Sequence, residues 1–375
     1  MRLPFIQPNP PRLSQSVGAL ETLERSGIYS NFGPQNTLFE KQLVEKLMAG
    51  SGHSLTVCNA TIGLMLAIKE AITIRGNAKA KYALVPSFTF AATPHAAMWC
   101  GLTPILYDID PKTWLPSTEE EERILDKFHE EIAVVVPYAT FGNCLDMDRY
   151  NTLAQSRGIP VVVDAAASLG SKDSQGHGFG TGSAVSVVYS MHVTKTFSTS
   201  EGGVIYSADQ ERINRIRLMS NYGFSEPRAA GMPGLNAKLS EVAALIALQK
   251  LASFDDVLNR RETLYQSYYH LLADVVDFQV HVGQSVASQF VPVLLPLNRN
   301  RDDVINYMVS HGVSVGKYFS PHIAEQPYFR DNSLAEPLIA TNDVASRIVC
   351  LPIYDSMLDE ELHYVAATLR ECLTR

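Results

Sequence analysis

An acid and a lysine in the middle of the chain stand where chemistry could happen. Asp164 ends the apolar run Val161-Val162-Val163, and Lys195 follows the run that begins Ser186-Val187-Val188-Tyr189-Ser190. Both runs are short and β-branched, so each reads as a buried strand. Open α/β sheets present their functional residues at such strand ends. Lys195 lies among His192, Thr194, Thr196 and Ser198, and Glu201-Gly202-Gly203 follows. A lysine amine can condense with an aldehyde to a Schiff base. Pyridoxal phosphate carries such an aldehyde, and its ring nitrogen needs a carboxylate partner to stay protonated and serve as an electron sink. Asp164 and Lys195 suit these two roles; a structural ion pair between them is the alternative.

The elements that must position this pair follow a regular rhythm. A helical pattern runs from Val17 to Gly27, and the polar and aromatic loop Ile28–Pro34 comes next. Strands are expected at 55–57, 82–85, 104–107, 132–136, 161–164 and 203–206. Helices are expected between them, at Leu64–Ile72, 91–100, 118–129 and beyond Cys144, where apolar residues recur at helical spacing. Alternation of this kind predicts an α/β fold, with a mostly parallel sheet sandwiched by helices. The turn Cys58-Asn59-Ala60-Thr61 joins a strand to a helix, where free backbone N–H groups can hold a phosphate. Two aromatics, Phe88 and Phe90, bracket Thr89 at the end of another strand and could cover a planar ligand. Ser207-Ala208-Asp209-Gln210 reads as a capping box, and 221–234 as a loop. One long helix is expected from about Leu239 to Leu272. Beyond it come a strand at 289–295, a helix at 302–311, a strand at 313–315, a helix at 336–347, an apolar run at 348–352 and a last helix from Leu358. This divides the chain into a large domain, 1–250, with an extended Pro-rich arm at residues 1–12, and a smaller C-terminal α/β domain, 251–375.

Composition excludes several classes. The 375 residues are 46% hydrophobic and 19% charged, with a formal net charge of -8, which is ordinary for a globular protein. The acidic balance and the lack of a Lys/Arg block argue against nucleic acid. No apolar run reaches the ~20 residues that span a bilayer, and no signal peptide is expected. The five cysteines are scattered, with no CxxC and no metal-ligand spacing, as suits reduced thiols in a cytoplasm.

Ser190-Met191-His192-Val193-Thr194-Lys195 with Glu201-Gly202-Gly203 resembles the Ser-Phe-His-x-x-Lys and Gly-Glu-Gly-Gly segments of the DegT-type sugar aminotransferases. These are pyridoxal-phosphate enzymes of the aspartate-aminotransferase fold, fold type I. The resemblance runs from the early Gly27–Pro34 loop to Leu351-Pro352-Ile353-Tyr354-Asp355. It implies that Lys195 bonds to the cofactor and shuttles the proton, and that Asp164 pairs with the ring nitrogen. It implies that Phe90 stacks on the ring, with Phe88 the neighbour most easily confused with it. Ala60, Thr61 and Ser190 match phosphate-binding positions. Asn236 matches an asparagine that reaches the phosphate of the neighbouring subunit's cofactor, which makes the protein at least a homodimer. Tyr29, Asn31, Tyr318 and His322 border the sugar site by the same likeness, and Arg228 is a weaker candidate for a carboxylate or diphosphate.

Two departures from the family pattern stand out. Ala167, followed by Ser168, occupies a position where the family has Gln or His against the cofactor's ring hydroxyl. Either Ser168, another side chain or water takes that bond, or the cofactor's electronics are somewhat altered. Ala60 replaces a usual Gly, which is tolerable if the backbone there is ordinary. A related branch carries His in place of the lysine and dehydrates sugars, so Lys195 favours transamination. The implied function is transfer of an amino group, from glutamate, to a nucleotide-linked keto-deoxysugar in amino-sugar biosynthesis, with pyridoxamine phosphate between the two halves and no metal. The alternatives are transamination of a non-nucleotide ketone such as a cyclitol, or a non-catalytic regulatory protein on the same fold.

Overall fold

A computed structural model describes residues 2–374. The larger part of the chain alternates strands and helices in the order α1 (Val17–Ser26), α2 (Pro34–Leu47), β1 (His53–Val57), α3 (Ala60–Arg75), β2 (Tyr82–Pro86), α4 (Ala92–Trp99), β3 (Thr103–Tyr107), α5 (Thr118–Phe128), β4 (Ile132–Val135), α6 (Met147–Arg157), β5 (Val162–Asp164), β6 (Ser186–Ser190), β7 (Gly203–Ser207) and α7 (Gln210–Met219). The strands lie in the order β1-β7-β6-β5 and β3-β2-β4. Parallel bridges Val135 to Val161 and Tyr138 to Asp164 join these two groups into one surface. Strand β7 is antiparallel to both neighbours, and the other pairs are parallel. This is the expected α/β architecture, a mostly parallel sheet flanked by helices. The strands are buried on both faces, which is why they read as unbroken apolar runs. One core packs α2 and α6 side chains such as Phe39 and Tyr150, together with Leu251, on one face. Another packs α3 and α7 side chains such as Leu64 and Ile213 on the opposite face.

The rest comprises a two-residue hairpin, β8 (Phe224–Ser225) with β9 (Ala229–Ala230), then α8 (Glu241–Ala252), α9 (Phe254–Leu272), β10 (Asp277–Phe278), β11 (Val291–Leu294), α10 (Arg301–Ser310), α11 (Pro327–Asn332), β12 (Leu334–Ala335), α12 (Ile339–Arg347), β13 (Ile348–Leu351) and α13 (Asp359–Thr374). Strands β10, β11 and β13 form an antiparallel sheet, and α9, α10 and α13 contribute to the core that covers it. Short β12 instead extends the large sheet beside β3.

Several sequence expectations are corrected. The single helix 239–272 is two, broken at Ser253; within the second, Phe254 and Val257 join the large-sheet core while Leu264, Tyr268 and Leu272 join the small one. The segment 313–315 makes no strand; Val313 bridges to Leu3. The helix expected from Glu336 begins at Ile339. Loop 221–234 folds into the small hairpin. Asp209, rather than Ser207, caps α7, accepting from Arg212 N at 3.0 Å. The arm is docked: Leu3 is buried in the small core and Phe5 lies against Phe290 and Tyr318.

Among the described residues no helix is long and apolar enough to cross a membrane.

Candidate active site

Asp164 is fixed from both sides by the sheet. Its N–H donates to Pro137 O at 2.9 Å, its carbonyl accepts from Ala139 N at 2.9 Å, and the next N–H donates to Val188 O. The carboxylate is buried, accepting from Thr93 Oγ1 at 2.6 Å and from Ala166 N at 3.0 Å. Thr93 is held in turn by Thr89, 2.9 Å away. Burial pushes the Asp164 carboxyl upward; the two hydrogen bonds and the Lys195 cation pull against it. A carboxylate so placed suits a cation that arrives from outside the chain, since the polar environment is prepared and the charge is unpaid for by any close ion pair.

Lys195 stands on the tight connection between β6 and β7. Met191 N donates to Gly202 O, Val193 N to Ser200 O, Thr199 N to Met191 O and Lys195 N to His192 O. The hydroxyls around Lys195 hold this connection: Thr196 donates to Ala287 O, Ser198 to Val193 O and Thr199 to Met191 O. Lys195 Nζ donates to Gln289 Oε1 at 3.1 Å. Its pKa falls from 10.5 to about 8, because burial disfavours the ammonium while Asp164 favours it. The amine can thus gain or lose a proton near neutral pH.

The strand ends beside Lys195 meet the start of α3. Val57, Gly203 and Ser190 are paired across β1, β7 and β6. Asn59 caps α3, its side chain accepting from Ile62 N at 2.9 Å and its carbonyl from Gly63 N at 3.1 Å. Among the described residues the Ala60 and Thr61 amides have no hydrogen-bond acceptor. A Cβ on Gly203 would stand 2.8 Å from Ala60 N and 2.9 Å from Ala60 Cα, so only glycine lets β7 lie against this helix start. Ala60 itself opens the helix without a positive φ. Ser190 is buried, and its hydroxyl accepts from His192 N at 3.2 Å.

The two aromatics of the β2 loop separate cleanly. Phe88 is fully buried, edge-on to Phe141 and Phe319. Phe90 is 56% exposed, so its ring is free to cover a planar ligand. These residues fit pyridoxal phosphate: a buried acid for the ring nitrogen, an amine for the aldehyde, an exposed ring to stack and a helix start for the phosphate.

Other expected residues are more dispersed. Tyr29 and Asn31 lie in an exposed loop beside α2, whose first amides, Gln35 N and Asn36 N, donate to the buried Glu241 carboxylate. Tyr318 is exposed and stacks on Phe290. Asn236 is exposed on the strand-like segment that follows the hairpin, and Arg228 lies over the Phe224 ring. His322 is corrected. It is buried, with Nδ1 bonded to Ser87 Oγ at 2.9 Å and Nε2 to Asn342 Oδ1 at 2.8 Å. The two ring nitrogens tie the 318–322 loop to Ser87, just past β2, and to Asn342 on α12, so His322 is held inside the fold rather than exposed. Sequence reading missed Gln289, Thr93 and Phe319, which packs against Phe90 at 6.4 Å and stacks on Phe141. No spacing signals them, since their partners are distant in the chain.

Comparison with known proteins places this geometry. The profile of the DegT/DnrJ/EryC1/StrS aminotransferase family matches residues 13–370. The chain is 30% identical to a dTDP-4-amino-4,6-dideoxy-D-glucose transaminase of Shigella dysenteriae, over 97% of each chain. It is 30% identical to Protein Rv3402c of Mycobacterium tuberculosis, over 100% of this chain and 91% of that one. Among solved structures, one described as a PLP-dependent aminotransferase from Bacillus cereus superposes with a TM-score of 0.93 at 36% identity, over 99% of this chain and 100% of the other. DesI, solved with its TDP-sugar product, gives 0.88 at 31% identity, over 100% and 93%.

Proposed function

Because the chain belongs to the DegT/DnrJ/EryC1/StrS aminotransferase family and is a pyridoxal-phosphate-dependent aminotransferase, we propose that it moves an amino group from glutamate to a keto-deoxysugar carried on a nucleotide. The observation that carries this reading is the pairing of Lys195 and Asp164 beside an exposed Phe90, in a chain alike over its full length to enzymes named for nucleotide-sugar substrates. When bound, the cofactor supplies an aldehyde for covalent capture of amines and a ring that accepts carbanion charge. Asp164 keeps the ring nitrogen protonated. Phe90 covers the ring, and the Ala60 and Thr61 amides with Ser190 hold the phosphate. Lys195, freed by the incoming amine, carries the proton between the donor's α-carbon and the cofactor, a task its depressed pKa suits. In the second half it runs the same transfer backward onto the sugar carbon. Asn236, exposed and unbonded through its side chain among the described residues, completes a second protomer's site in a homodimer. Tyr29, Asn31 and Tyr318 border the sugar. Five free thiols support a cytoplasmic setting.

The test is spectroscopic. Purified wild type with added pyridoxal phosphate should show a visible band that glutamate converts to the pyridoxamine spectrum, and Lys195→Ala should show no conversion. A wild type that binds the cofactor yet responds to no amino donor refutes the proposal and leaves a regulatory role. Activity with a cyclitol ketone, and none with nucleotide-linked ketosugars, would refute the substrate class alone.

A further inference from the structure

Position 167 carries only a methyl group, and the two simplest substitutes for a polar contact there can be weighed. Ser168 is fully buried, and its Oγ is enclosed with no hydrogen-bond partner among the described residues. An atom sealed within the protein does not line a cavity open to a ligand. Gln289 differs. Its Oε1 accepts from Lys195 Nζ at 3.1 Å, and its Nε2 has neither a partner among the described residues nor a place among the enclosed polar atoms. That amide therefore has an acceptor on the lysine and a donor to spare.

The chemistry of pyridoxal phosphate locates what the donor would meet. The ring hydroxyl is the immediate neighbour of the carbon that bears the aldehyde, and Lys195 must reach that carbon. A side chain within hydrogen-bond reach of Nζ is thus beside the ring oxygen. We propose that Gln289, from the segment leading into β11, supplies the cofactor's ring-oxygen contact that Ala167 cannot, while its carbonyl parks the free amine of Lys195. The proposal rests on the aminotransferase reading.

The segment is built for precision. Arg261 is buried, and its Nη1 donates to the carbonyls of Ser288 at 2.9 Å and Gln289 at 3.3 Å, while its Nε donates to Asp355 at 2.6 Å. Thr196 ties Ala287 O to the lysine's own loop at 3.0 Å, and Ser171 Oγ accepts from Ala287 N at 3.0 Å. The backbone on each side of Gln289 is therefore pinned, which fixes where its amide can point.

The two ends of one amide predict opposite titrations. A donor to an anionic ring oxygen favours the deprotonated form, and an acceptor for an ammonium favours the protonated one. The first readout is the pH midpoint of the visible band of cofactor bound to wild type, Gln289→Leu, Gln289→Glu and Ser168→Ala. The second is the pKa of Lys195 in cofactor-free protein, from the pH dependence of its reductive methylation with formaldehyde, read by mass spectrometry. Gln289→Leu should raise the band midpoint by about one pH unit and lower the Lys195 pKa by a similar amount. Gln289→Glu, which can accept but not donate, should raise both. Ser168→Ala should move neither. An unchanged band midpoint in Gln289→Leu, or movement of both values in the same direction in that variant, overturns the inference. A wild type that gives no band at all with pyridoxal phosphate removes the functional reading, and this one with it.

Discussion

Lys195 should weaken the cofactor-free protein, and replacing it by methionine measures by how much. The half-buried Lys195 takes its proton at about 8 in the fold against 10.5 when unfolded. Between these values the unfolded chain binds more protons, so stability rises with pH across that window. Below pH 8 the full penalty of keeping an ammonium in the fold applies; above 10.5 it is gone. The gap of roughly 2.5 units corresponds to about 3 kcal/mol, a ceiling for the effect. Asp164 acts against the burial, and its attraction is already contained in that value. Methionine fills a similar volume and carries no charge. Urea unfolding of cofactor-free wild type and Lys195→Met should therefore show the variant more stable by up to about 3 kcal/mol at pH 7. The advantage should shrink to the packing difference near pH 10.5. An advantage of equal size at both pH values, or none at pH 7, would refute the reasoning, because no residue other than Lys195 differs between the proteins.

Four further outcomes are expected. Phe90→Ala should leave urea stability within about 0.5 kcal/mol, as an exposed site does, yet weaken pyridoxal phosphate in equilibrium dialysis roughly tenfold; equal loss of both would mean Phe90 is core. Thr93→Val removes one hydrogen bond to the Asp164 carboxylate and should cut transamination about tenfold, by roughly 1.5 kcal/mol, with little change in the KM for glutamate. Gly203→Ala must push β7 from the start of α3, and should cost several kcal/mol of stability or most of the cofactor affinity; a variant that binds cofactor like wild type in dialysis contradicts the close approach. His322→Leu leaves Ser87 and Asn342 without their shared partner and should destabilise by about 2–4 kcal/mol in urea, with the KM for the sugar acceptor unchanged in the fraction that folds.

What could be read from the chain was whatever repeats locally. Asp164 and Lys195 were legible because each follows a β-branched run, and the helix start at Ala60 because small and hydroxyl residues sit between a strand and an apolar spacing of 3 and 4. The strand order was not legible, since β7 runs against its neighbours and nothing in Gly203–Ser207 marks its direction. Helix α2 carries no clear sequence signal: its buried residues include Asn36 and Glu40, which blur the apolar stripe. The break at Ser253 was hidden because the apolar period continues through it, and Phe254 packs into the same core as Leu251. Gln289 reads as an ordinary strand residue until the fold sets it against Lys195. His322 looked like a loop residue because its partners, Ser87 and Asn342, come from separate segments.

The docked arm has a consequence for how the chain assembles. Leu3 N donates to Gly312 O at 2.7 Å and Ser314 N donates to Leu3 O at 3.0 Å, and the core around Leu3 draws on residues from Leu264 to Leu373. On the ribosome Leu3 is thus made long before the partners that enclose it. The large-sheet strands from His53 to Ser207 can be paired while the arm still waits and the small core stays open on one side. Such long-range closure is slow, and the waiting apolar edge is the point at which synthesis of this chain is most exposed to aggregation.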